Sequence, residues 1–313
     1  MEIFLTVALP IFALICSGYG AHRLGLLTEE AGAGLDRFVY YFALPVLLFD
    51  RMASAPANRL LVWPFLGAYL LAGLAVYGLA FAAARYLSGR STGGAALDAQ
   101  GAVFGNVGYI GLPLAQAAAG KAALIPMAVA LTLDHAFFVP LTLALLAAGN
   151  GRAGGRAGAV AAAVGNLARN PLVVAILAGA LLSATGFALP PALRAFAALL
   201  GGAAGPCALF AVGAALARRS ARGSAAEGGL MTVFKLGLHP LAMWVTMNWV
   251  FDVQPMWASV AVLAAALPLA EDAVALARRF GDSEQAASTA FVLSTLASLV
   301  TVSAALAWLF TAG

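Results

Sequence analysis

Asp134, Glu271 and Asp272 lie in long apolar stretches of the chain, where a carboxylate is costly. A charged side chain at the centre of a membrane helix costs about 2.5–3.5 kcal/mol, so all three facing lipid would cost about 7–10 kcal/mol. They must face an interior or be protonated. The chemistry open to such a group is to take up H⁺ or a hard cation such as Na⁺ and to lose its charge in doing so. The helical neighbours of Asp134 at three and four positions are Ala130, Leu131, Phe137 and Phe138, all apolar, so any partner must come from another segment. Glu271 and Asp272 are about 100° apart on a helix, which leaves one of them pointing fully into a cavity. Their alternative role is to cap a half-helix beginning near Pro268, where the helix dipole favours negative charge.

A second group concerns the backbone. Phe104-Gly105-Asn106-Val107-Gly108-Tyr109-Ile110-Gly111-Leu112-Pro113 places three glycines and a proline in ten residues, and an unbroken helix would lose about 1 kcal/mol per glycine and about 3 for the proline. An opened helix is expected, with Gly111-Leu112-Pro113 as the interruption, and its freed backbone groups must meet protein, water or ligand. The alternative is a glycine-lined packing face with a simple proline kink. Leu267-Pro268-Leu269 is a matching interruption later in the chain. Leu44-Pro45-Val46-Leu47-Leu48-Phe49 is matched in order by Gly205-Pro206-Cys207-Ala208-Leu209-Phe210. Paired interruptions point to a crossover of two broken helices, the sequence feature that best marks a transporter's binding site.

Other polar residues have simpler readings. His135 reads as a hydrogen-bonded packing residue, and Lys235, near the end of its segment, as a side chain that snorkels to the interface. Ser294, Ser298 and Thr301 form an i, i+4, i+7 stripe that either lines a cavity or bonds back to its own helix.

These residues are positioned by a chain of 313 residues that is 63% hydrophobic and 10% charged, with a mean hydropathy of +0.95. Average soluble chains are about half apolar and a quarter charged, so this is a membrane protein. Ten apolar segments are expected, at about 3–20, 32–49, 60–86, 99–119, 122–148, 171–188, 191–217, 229–251, 256–279 and 286–310. Strand alternation is absent, so the fold class is all-α. Of the 17 Lys and Arg, eleven fall in odd-numbered connections and four in even-numbered ones. The positive-inside rule then puts both termini outside. Because the cations are dispersed, nucleic acid is not a partner. Cys16 and Cys207 form no disulfide framework and no metal spacing, and the N-terminus reads as an uncleaved first span.

The polar connection 149–170 divides the chain into five-helix repeats at 1–148 and 171–313, and an odd number of spans per half requires that the second be inverted. No HExxH, GxSxG, Walker, paired-aspartate or His/Cys ligand motif occurs, which leaves an intramembrane enzyme as the weaker alternative.

The chain resembles the auxin efflux carrier family of bacterial and plant transporters over nearly its whole length. Arg37-Phe38-Val39 with Phe42-Ala43-Leu44-Pro45 is similar to the family's second span, and Asn106 through Gly111 and Pro113 to its N-x-x-x-x-G-x-P crossover. Lys235 with Pro240 is similar to its eighth span. Ala265-Ala266-Leu267-Pro268, Ala277-Arg278-Arg279-Phe280-Gly281 and Ser288-Thr289-Ala290 are similar to its ninth and tenth. The resemblance implies a dimerising scaffold of spans 1, 2, 6 and 7 and a mobile domain of spans 3–5 and 8–10. It also implies a multi-pass protein of the inner membrane, carrying a small organic anion such as auxin or malonate by alternating access. The candidate substrate-binding set is Asn106, Tyr109, Gly111, Pro113, Pro268, Pro45 and Pro206. Asp134, Glu271 and Asp272 are candidates for H⁺ or Na⁺ coupling, with no resident cofactor. The pair Glu271-Asp272 departs from the family pattern, which has uncharged residues there in many members.

Overall fold

The computed structural model describes residues 4–149, 165, 167–219, 225–281 and 283–311. The described residues form helices joined by short connections, with no strand beyond one isolated bridge. In chain order they are α1 (Leu5–Arg23), α2 (Glu29–Ser54), α3 (Trp63–Leu87), α4 (Thr92–Val103), α5 (Val107–Ala119), α6 (Lys121–Gly149), α7 (Pro171–Thr185), α8 (Pro191–Arg218), α9 (Ala225–Val250), α10 (Pro255–Ala266), α11 (Glu271–Phe280) and α12 (Glu284–Thr311). Seven of them, α1, α2, α3, α6, α8, α9 and α12, are long and apolar enough to cross a membrane. Shorter apolar helices α5, α7 and α10 occupy the remaining apolar segments. Arg152, Arg156, Arg222 and most of the 149–170 connection lie outside the described residues.

Several helix pairs meet at backbone distance, and small residues let them. A Cβ on Gly18 of α1 would collide with the Phe210 carbonyl of α8, and one on Gly213 of α8 with the Ile15 carbonyl of α1. The α2–α7 pair repeats the device, with Gly179 facing the Phe49 carbonyl at 2.5 Å from its would-be Cβ. Without a hydrophobic force between helices in lipid, such close packing is what holds them.

The fourth segment starts at Thr92, earlier than the hydropathy suggested, because Asp98 and Gln100 interrupt the apolar run yet are buried. Asp98 is paired with Arg90 at 3.2 Å, and Gln100 accepts from Thr142 at 2.6 Å. Ser91 caps the helix, its Oγ accepting from Gly94 N at 2.9 Å.

The interruption is also placed differently. Backbone helicity stops at Phe104-Gly105-Asn106, whereas Gly111 and Pro113 lie inside α5. Pro113 follows a widened π-turn at Val107–Gly111, and Pro10, Pro45, Pro140 and Pro240 follow π-turns in the same way. Proline removes one donor and crowds the preceding turn. A wider turn accommodates it without breaking the helix. In the second half the break does fall on the proline, at Leu267-Pro268-Leu269-Ala270.

Candidate functional site: two broken helices crossing

The two breaks are hydrogen-bonded to each other. Asn106 N donates to the Pro268 carbonyl at 2.8 Å and Ala270 N to the Phe104 carbonyl at 3.1 Å, which makes an antiparallel bridge of Gly105 and Leu269. Backbone groups that the breaks free are thus satisfied inside protein, as the hydrocarbon interior requires. Gly105 is needed for this approach: a Cβ there would stand 2.8 Å from the Ala264 carbonyl and 3.2 Å from Lys235 Nζ.

Asn106 is buried and caps α5, its Oδ1 accepting from Tyr109 N at 3.2 Å. The cap uses the carbonyl oxygen, so the amide Nδ2 is the group left to meet a ligand. Beside it is a narrow cleft of about 20 Å³ lined by Asn106, Tyr109, Asp134, His135, Asp272 and Tyr40 among others. Tyr109 donates its hydroxyl to the Asp36 carbonyl at 3.4 Å. Gly111 packs under Leu267 of the other break, and Pro268 is buried in the junction. Pro113 and Pro206 line a separate cavity toward the far end of α5. Pro45 is half-buried in α2, between the cavity-lining Leu44 and Leu47. The structure therefore brings Asn106, Tyr109, Gly111 and Pro268 together and leaves the other three prolines outside that cluster.

Asp134 finds its partner on another helix, as its apolar neighbours require. Tyr69 of α3 donates to Asp134 Oδ1 at 3.0 Å, and the carboxylate is 2% exposed. His135 Nδ1 lies 2.9 Å from the Leu131 carbonyl, and its Nε2 is 3.8 Å from Asp272 Oδ2. Asp272 is largely exposed, and both it and Glu271 stand in the first turn of α11, whose N-cap is Ala270. Glu271 is held by Arg219 of the α8 end at 2.8 Å, with Arg218 at 4.0 Å. It enters the structure as an ion-pair partner.

Lys235 contradicts its sequence reading most sharply. Its side chain does not snorkel; it is 0% exposed, donates to the Ala265 carbonyl and lies 3.3 Å from His239 Nδ1. The Ala265 carbonyl belongs to the last turn of α10, the negative end of a helix, which suits an ammonium. A contact 30 residues away in sequence leaves no local trace. Two features of the sequence hint at it: the i, i+4 spacing of Lys235 and His239, and Gly105, which makes room for Nζ. In the α12 stripe, Ser298 bonds back to the Thr295 carbonyl, while Ser294 Oγ accepts from Leu269 N at 3.0 Å, so that it braces the second break.

The site is thus a cleft at crossed helix breaks, with an amide, a capped helix N-terminus, two carboxylates and a buried ammonium close by. Comparison with known proteins identifies the family of the chain. The family model described as membrane transport protein matches residues 3–154 and 161–306. A protein of Rhizobium meliloti (strain 1021) named "Putative malonate transporter" is 31% identical over 95% of this chain and 92% of its own. "Uncharacterized transporter YfdV" of Escherichia coli (strain K12) is 26% identical over 96% of both chains. The chain belongs to the membrane transport protein family, the auxin efflux carrier family that its sequence resembles.

Proposed function

We propose that this protein is a secondary carrier of small carboxylates, malonate-like dicarboxylates among them, working by alternating access with the anion held at the crossover. The observation that carries the reading is the N-terminus of α5 on the wall of the cleft, where Asn106 caps Tyr109 N, Val107 N bonds to the Gly105 carbonyl, and Gly108 lines the cleft. The positive end of a helix favours an anion, and Gly108 N with the amide of Asn106 would orient it. The R. meliloti relative's name supports malonate as the first substrate to try.

Ten spans in two inverted repeats fit the packing. Exchanging the halves turns the α1–α8 contact into the α7–α2 contact, and both are glycine-mediated. On this reading α1, α2, α7 and α8 form the scaffold and dimer anchor, and the remaining helices form the mobile domain, in a multi-pass protein of the inner membrane.

Coupling to H⁺ through Asp134 follows from electrostatics. An anion entering the cleft meets Asp134 and Asp272, and like unit charges 4 Å apart repel by about 4 kcal/mol near a protein surface. His135, when protonated, offsets Asp272, and a proton on Asp134 would remove the rest. Na⁺ coupling and uncoupled uniport are the alternatives.

The experiment is uptake of labelled malonate, acetate and an aromatic carboxylate into liposomes, under pH, Na⁺ and voltage gradients imposed separately. Asn106→Asp keeps the capping oxygen but adds negative charge. It should abolish saturable uptake with little loss of stability, while Asn106→Ala loses uptake and also about 1 kcal/mol of helix capping. Asp134→Asn should transport without responding to the pH gradient. Normal uptake by both Asn106 variants would remove the crossover as the binding site. Turnover of a substrate in detergent, without any gradient, would favour the intramembrane enzyme.

A further inference from the structure

Two larger cavities lie away from the crossover and carry a surplus of positive charge. One, of about 420 Å³, is bounded by Leu44, Leu47, Pro113, Gln116, Gly205 and Pro206 among others. The next, of about 620 Å³, is lined by Asp50, Arg51, Lys121, Ser183 and Arg194 among others. Arg51, Lys121 and Ala198 line both, so the two adjoin and are treated together as one opening. It leads toward the crossover along α5: Tyr109 lines the cleft and Gln116 the opening, about 10 Å apart at 1.5 Å per residue.

The charges of this opening are unbalanced. Arg51, Lys121 and Arg194 face one carboxylate, that of Asp50, which leaves a surplus of two positive charges. The Arg51–Asp50 contact is loose at 3.7 Å, and Arg51 Nε is buried without a hydrogen-bond partner in the described protein. Lys121 and Arg194 make no ion pair among the described residues. At the opposite end of α8, on the seam between the proposed scaffold and mobile domain, Arg219 pairs with Glu271 of α11 at 2.8 Å.

We propose that Arg51, Lys121 and Arg194 form an entry site that captures small dicarboxylates before they reach the crossover, a proposal that rests on the carrier reading above. Two surplus charges match a dianion, and a low-dielectric cleft lined with one sign of charge concentrates the opposite ion. The three cations also come from both sides of the moving seam: Arg51 from α2 and Arg194 from α8 on the scaffold, Lys121 from α6 on the mobile domain. Bringing the two sides together sets like charges against each other unless an anion lies between them. A bound dicarboxylate therefore favours closure over it.

The test measures initial rates of malonate and acetate uptake into liposomes for wild type, Arg51→Gln, Lys121→Gln, Arg194→Gln and the triple variant. Arg279→Gln, exposed on α11 away from this opening, serves as the surface-charge control. The KM for malonate should rise about threefold to tenfold in each single variant and further in the triple, with maximal rates within about twofold. Acetate should be affected less. Added salt should weaken wild-type uptake more than that of the triple variant. A folded triple variant with the wild-type KM for malonate overturns the entry site, as does an equal rise in Arg279→Gln. Should the triple variant be unstable, the single variants decide on the same criterion. Wild type that carries no carboxylate at all overturns the carrier reading itself, a separate outcome.

Discussion

The two helix breaks solve one problem in different ways. At the first, Asn106 satisfies α5 from within its own segment, three residues from the amide it caps. At the second, the work is done from a distance: Lys235 of α9 holds the Ala265 carbonyl and Ser294 of α12 holds Leu269 N. The free helix ends differ too. α5 begins without an acidic residue in its first turn, whereas α11 begins with Glu271 and Asp272. A half-helix that carries its own carboxylates has already used the favourable charge of its N-terminus. The crossover is thus asymmetric: the first break has no carboxylate at its helix start, and the second is tied from α9 and α12.

That division can be broken most severely at Lys235. Lys235→Met leaves the Ala265 carbonyl without its donor in a fully buried place, at a cost of about 1–3 kcal/mol, and removes the positive charge behind Gly105. Malonate uptake should fall by about tenfold or more, with a lower melting temperature. A variant that transports normally would show the ammonium to be dispensable. A smaller effect, and a sharper one for the comparison, is expected at Ser294. Ser294→Ala orphans Leu269 N and should lower stability by about 1–3 kcal/mol, measured by denaturation in detergent, with the KM for malonate unchanged. A raised KM without loss of stability would move the second break from support to binding.

The first break was more legible in sequence than the second, for a physical reason. An asparagine ahead of a glycine-rich run and a helix is a local signal, because a cap bonds only two or three residues ahead. The proline at 113 misled by appearing to be the interruption, since a π-turn absorbs a proline without breaking the helix. That Asp134 needs a partner from elsewhere followed from its apolar neighbours, but nothing local could name Tyr69, 65 residues away. Lys235 was misread: it was judged by depth along a segment, yet it is enclosed by α10. The Arg219 partner of Glu271 comes from α8 and had no local signal either. The cavity lined by Arg51, Lys121 and Arg194 was invisible because the three belong to three different helices.

The central claim, that the crossover holds a small carboxylate through α5 and Asn106, is tested most directly by calorimetric titration of malonate into the purified protein. Wild type and Ser294→Ala should bind saturably, and Asn106→Asp should not. Absence of saturable binding by wild type for malonate and other short carboxylates, or equal binding by Asn106→Asp, would contradict it.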